Sequence, residues 1–167
     1  MVNFERKKIG EILVSMGTIT PAEIRLVLER MQARGENFGI TGVAEGIFSA
    51  EALAQALARQ FQLEYIDLEH FLPDPELLAS LPAGMATRYR FLPISRDEQG
   101  MVVAIADPTD VATRESLELL LDEPLILQVA AEGKILRILE RAEGTKHVLD
   151  EVSEDFKLQL VKETDKG

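Results

Sequence analysis

KIGEILVSMGTITPAEIRLVLERM, residues 8–31, and NFGITGVAEGIFSAEALAQALARQ, residues 37–60, are two copies of one pattern offset by 29 positions. Ile9 matches Phe38, Gly10 matches Gly39, Val14 matches Val43 and Gly17 matches Gly46. Further along, Ile19 matches Phe48, Thr20 Ser49, Ile24 Leu53, Val27 Ala56 and Leu28 Leu57. Two glycines and a helix-start residue that recur at one offset mark a structural repeat.

Each copy reads as helix, turn, helix. In the first, Ile9, Ile12, Leu13 and Met16 recur at helical spacing, and Gly17 ends that helix in the left-handed region without a Cβ penalty. Thr20 caps the next helix, with Pro21 at its first position and Glu23 completing a capping box. Ile24, Val27, Leu28 and Met31 form the expected buried stripe. In the second copy Gly46 is the terminator, Ser49 the cap, and Leu53, Ala56, Leu57 and Gln60 share a face. Gly39 and Gly42 weaken its first helix. Four short helices in two related hairpins are predicted for residues 5–62. Gly10 and Gly39 each cost about 0.5–1 kcal/mol relative to alanine inside a helix. Two reasons compete for them: close approach of neighbouring helices, or backbone left open to a flat ligand.

From Leu63 the pattern becomes α+β. Residues 64–68 alternate like a short strand, and Asp74 caps a helix expected over Pro75–Leu81. A second short helix covers Gly84–Tyr89. Phe91–Ser95 and Met101–Ala106, joined by the polar, glycine-bearing turn 97–100, read as a β-hairpin. Asp110 caps a helix over Val111–Leu121, followed by a strand at Leu125–Ala130 and a closing helix at Glu132–Ala142. The expected fold class is α+β: a four-helix tandem-hairpin subdomain at 1–62, then a small α/β sandwich with a three- to four-stranded sheet at 63–144. Residues 145–167 read as an acidic, linker-like tail.

Composition narrows the function classes. A chain of 167 residues has room for one ordinary domain or two small subdomains. Its apolar share of 46% and charged share of 28% are those of a soluble globular protein. No apolar run is long enough to cross a bilayer, so direct membrane insertion is not expected. The net charge of −11 argues against a nucleic-acid polymer as partner, though not against one small anion in a local basic pocket. With no cysteine there is no disulfide, zinc–thiolate site or cysteine nucleophile.

Catalytic signatures are missing. The sequence holds no G-x-x-x-x-G-K-[ST] phosphate loop and no G-x-S-x-G elbow, and His70 and His147 lack metal-ligand spacing. Asp107 and Asp110 read as turn and cap residues rather than as an acid–base or metal pair. Arg88 and Arg90 around Tyr89 read either as a small basic patch or, more plainly, as snorkelling arginines at a helix end. The chain is expected not to be an enzyme and to need no catalytic cofactor or metal.

A family resemblance lies in these residues. Leu57-Ala58-Arg59-Gln60-Phe61, Tyr65-x-Asp67-Leu68, Leu81-Pro82, Arg88-Tyr89-Arg90-x-Leu92-Pro93 and Val103-Ala104-Ile105-Ala106-Asp107-Pro108-Thr109-Asp110 together resemble the N-terminal domain of type II secretion and type IV pilus assembly ATPases. The resemblance spans roughly residues 8–144. It implies a docking and regulatory role without the ATPase, as an excised domain or a stand-alone relative. The implied partner is the cytoplasmic part of an inner-membrane assembly protein, with the chain's own ATPase domain as a further one. The implied location is cytoplasmic, peripheral to the inner membrane through that partner.

The repeat also resembles the tandem cyclic di-GMP-binding motif of the MshE-type domain, which runs R-L-G, L-V, G, I, L, A-L and Q, twice. What this resemblance implies is an alternative role as a cyclic di-GMP sensor, with candidate ligand residues Lys8, Ile9, Gly10, Met31, Asn37, Phe38, Gly39 and Gln60. The apolar skeleton is kept and the polar contacts are not. Lys8 and Asn37 stand at the arginine positions, and Met31 stands where the first copy's glutamine would close. Lysine lacks the planar, bidentate fork of a guanidinium. Each lost charge-assisted contact costs on the order of 1.5–3 kcal/mol.

Overall fold

The computed structural model describes residues 8–144; His147 and the acidic tail expected as a linker lie outside the described residues. The repeat forms α1 (Ile9–Ser15), α2 (Pro21–Arg34), α3 (Phe38–Ala44) and α4 (Ala50–Phe61). Thr20 accepts the Glu23 backbone N–H while the Glu23 carboxylate accepts the Thr20 N–H at 3.0 Å, a complete capping box. Ser49 caps α4 through the Ala52 N–H at 3.0 Å. Gly17 (φ 74°) and Gly46 (φ 71°) take the left-handed conformation that ends α1 and α3.

The hairpins interlock. α1 packs chiefly on α4 and α2 on α3, so each hairpin closes its core with the other. That core is Ile12, Leu13, Ile19, Val27, Phe48 and Ala56. The repeat survives at the level of contacts. A Cβ on Gly10 would lie 3.3 Å from Ile24, and one on Gly39 would lie 3.0 Å from Leu53, the residue that matches Ile24. Close approach therefore accounts for both glycines. Leu28 is a correction: it is 48% exposed, because α2 buries a narrow stripe centred on Val27.

The second part contains β1 (Glu64–Tyr65), α5 (Pro75–Ala79), α6 (Met85–Tyr89), β2 (Phe91–Asp97), β3 (Gly100–Ile105), α7 (Val111–Leu121) and β4 (Leu125–Val129). A closing helix, α8, runs through residues 132–144. The sheet order is β1-β4-β3-β2, with β2 and β3 antiparallel and β3, β4 and β1 parallel. The α+β class and the four-stranded sheet agree with the sequence reading, and four boundaries move by two residues or more. β1 keeps two residues of the five expected, since only Glu64 and Tyr65 ladder with β4 and the chain leaves after Ile66 donates to Val129. α5 stops at Ala79, two residues early. β2 extends to Asp97, across a bulge between Pro93 and Ser95. α8 runs two residues beyond Ala142.

The sheet core gathers Phe91, Leu92, Met101, Val103, Leu117 and Ile135, all inaccessible to solvent. α4 joins the two parts. Its Ala56 faces the repeat core while Ala54 and Ala58 pack with Val129 of β4.

Candidate functional site

Between α3 and α4 on one side and α7 with the ends of α6, β3 and β4 on the other lies a cleft of about 840 Å³. The repeat supplies an apolar floor: Ile9, Phe38, Gly39, Ile40, Val43, Leu53 and Leu57. Gly39 keeps this floor low, because any side chain there would stand against Leu53. Phe38 is held by stacking on Phe48, with ring centroids 6.0 Å apart and planes 20° from parallel.

The opposite wall is polar. Arg88 and Arg90 end α6, Asp107, Thr109 and Asp110 form the turn after β3, and Thr113 and Arg114 lie in the first turn of α7. The two aspartates are occupied structurally, as the sequence reading has it. Asp107 accepts the backbone N–H and the hydroxyl of Thr109. Asp110 caps α7 by accepting the Thr113 N–H at 3.1 Å and its hydroxyl at 2.7 Å. The Thr113 hydroxyl, followed by its backbone N–H, holds the Asp110 carboxyl below its ordinary range. Arg90 pairs with Glu132 at 2.5 Å, and the Arg88 guanidinium sits 5.5 Å from the ring centre of Tyr89. Among the described residues no group of three or more acidic or histidine side chains could hold a metal.

Of the eight candidate residues, Ile9, Asn37, Phe38, Gly39 and Gln60 line this cleft. Lys8, Gly10 and Met31 do not. Lys8 is exposed at the N-terminus of α1, Gly10 is buried beneath Ile24 and Phe38, and Met31 packs against the repeat core. Asn37 has a structural task as well: its Oδ1 accepts the Ile40 N–H at 2.8 Å and caps α3. Except for Ile9, the repeat's contribution comes from the second copy. Arg88 and Arg90 are legible in the sequence as a patch or as snorkelling arginines at a helix end, whereas Arg114 is not, since one arginine in a helix carries no signal of which neighbours the fold will bring.

The fold and the cleft define a class: a tandem helical hairpin joined to a mixed four-stranded α/β unit, with a half-apolar, half-charged groove between them. The chain belongs to the MshEN domain family, which matches residues 61–149. It is similar to the type IV pilus assembly ATPase PilB of Myxococcus xanthus, 26% identical over 80% of this chain and 24% of that protein. The PilB of Thermus thermophilus is 30% identical over 67% of this chain and 13% of its own length. The bacteriophage adsorption protein B of Escherichia coli is 26% identical over 78% of this chain and 17% of its own length. The chain thus spans a quarter or less of these relatives. A solved structure of MshE with cdg superposes with a TM-score of 0.69 at 30% identity, covering 82% of this chain and 99% of that one. The N-terminal domain of XpsE shares the fold, with a TM-score of 0.63 at 20% identity over 80% of this chain and 92% of that one. The likeness is to the N-terminal domain of secretion and pilus ATPases, not to their catalytic domain. Among the described residues no helix is long and apolar enough to cross a membrane.

Proposed function

We propose that this chain is a regulatory domain that takes a cyclic dinucleotide, cyclic di-GMP foremost, in the cleft between repeat and sheet. In this reading residues 1–62 and 63–144 are its two subdomains and residues 145–167 lead toward a motor. One observation carries it: the second copy's Asn37, Phe38, Gly39 and Gln60 line one groove of about 840 Å³ whose far wall carries three arginines, Arg88, Arg90 and Arg114, interspersed with Asp107, Asp110 and Glu132. A flat base fits an apolar floor kept low at Gly39, and a phosphodiester fits arginines. The likeness to the MshE structure, whose cdg we read as cyclic di-GMP, supports it.

Isothermal titration with cyclic di-GMP tests the reading. Saturable heat is expected from the parent chain. Ile40→Glu, which sets a carboxylate on a half-exposed cleft residue, is expected to keep its thermal stability and lose the heat. Unchanged binding by that variant would place the ligand elsewhere.

A docking role is the second reading, with the cytoplasmic part of an inner-membrane assembly protein as partner and a peripheral position at that membrane. It is favoured by Leu119 and Leu120 of α7, which are 83% and 55% exposed. Pull-down of such a partner by the parent chain and not by Leu119→Asp would support it, and equal capture by both would remove α7 as the surface.

A further inference from the structure

Arg114 differs from the other arginines of the described residues. It is the only one that is partly buried rather than exposed, and its guanidinium has no ion-pair or hydrogen-bond partner among those residues. Its chain carries 29 acidic side chains against 18 basic ones, so carboxylates are plentiful. Asp107 and Asp110, beside it in the cleft, are engaged by Thr109 and Thr113, and Glu132 is held by Arg90. A guanidinium at the cleft with no internal ion pair keeps its fork of donors open to an anion from outside. Arg88 lines the same wall and likewise makes no ion pair among the described residues. Across the groove, the repeat residues that line the cleft include no cation: Lys8 lies outside it and Asn37 caps α3.

We propose that Arg114, with Arg88, binds the phosphate groups of a dinucleotide whose bases lie on the Phe38–Gly39–Leu53 floor, so that the sheet subdomain supplies the cationic contacts missing from the repeat. This rests on the cyclic-dinucleotide reading of the cleft. A planar guanidinium donates two parallel hydrogen bonds to a phosphate, which sets its orientation as well as its charge. The two subdomains then close on one ligand from opposite sides. Binding becomes coupled to their relative position, which is what a regulatory domain requires.

The test is titration of the full chain and of Arg114→Ala, Arg88→Ala and Arg25→Ala with cyclic di-GMP and with linear pGpG. Arg25 is an exposed residue of α2 away from the cleft, and its removal changes net charge equally. Loss of about tenfold or more in affinity is expected for Arg114→Ala and for Arg88→Ala, with Arg25→Ala within about twofold of the parent chain and all variants melting alike. Parental affinity in Arg114→Ala overturns the proposal and leaves the cleft reading standing. An equal loss in Arg25→Ala also overturns it, since the effect would then be one of overall charge. Absence of binding by the parent chain to either probe overturns both.

Discussion

Position 42 is glycine where the matching position of the first copy, Leu13, is a fully buried leucine. A Cβ at Gly42 would stand 2.1 Å from the ring of Phe48, and Phe48 replaces the smaller Ile19 of the first copy. The two copies thus fill one volume in two ways, leucine with isoleucine or glycine with phenylalanine, as a close-packed interior demands. Gly42→Ala is expected to destabilise the fold by about 1–3 kcal/mol through overpacking, measured by urea unfolding. Thr41 sits where the first copy has Ile12, fully buried with its hydroxyl unpartnered among the described residues. Thr41→Val removes that hydroxyl at nearly constant shape. A gain of about 1 kcal/mol is expected in the same experiment, and a loss would show that the hydroxyl has a partner.

At the scale of elements, α3 is the weakest helix by composition, with two glycines in seven residues. It forms because Asn37 caps its start and because α2 and α4 close over it. Asn37→Ala should cost about 1 kcal/mol, whereas Lys8→Ala, at the start of α1 where no side chain caps, should stay within about 0.5 kcal/mol of the parent. Thermal denaturation of the pair separates a cap from a bystander.

Across the whole molecule, one cation ties the repeat to the sheet. Lys134 of α8 lies 2.9 Å from Glu69, 3.5 Å from Asp67 and 3.5 Å from Glu51 of α4. The Lys134 ammonium lowers the Glu69 carboxyl, the Glu69 backbone N–H and then Lys134 lower Asp67, and Glu69 foremost raises Lys134. Carboxyls depressed in the folded chain contribute stability above their ordinary range near 4 and lose it as pH falls through the folded values. A raised lysine keeps its contribution below its ordinary value near 10.4 and loses it only at higher pH. The melting temperature is therefore expected to fall on acidification below about pH 4 and to do so less steeply in Lys134→Met. Identical pH profiles would mean that the cluster adds nothing to the junction, as many exposed ion pairs do.

Local chemistry was legible in the sequence: the 29-residue repeat, the caps at Thr20, Ser49, Asp74 and Asp110, the terminators Gly17 and Gly46, and the hairpin of β2 and β3 all follow from spacing and turn residues. These depend on neighbours three or four positions away, so a single chain displays them. Tertiary structure decided what spacing cannot hold. It interlocked the two hairpins instead of closing each on itself, turned Leu28 outward, and cut β1 to the two residues that reach β4. It set the second copy, with only Ile9 from the first, along a groove with Arg88, Tyr89 and Arg114. Arg114 lies 54 positions from Gln60 along the chain, and only packing of α4 against β4 brings their elements to one cleft. The separation is physical: hydrogen bonds along a helix are local, whereas burial depends on which surfaces meet.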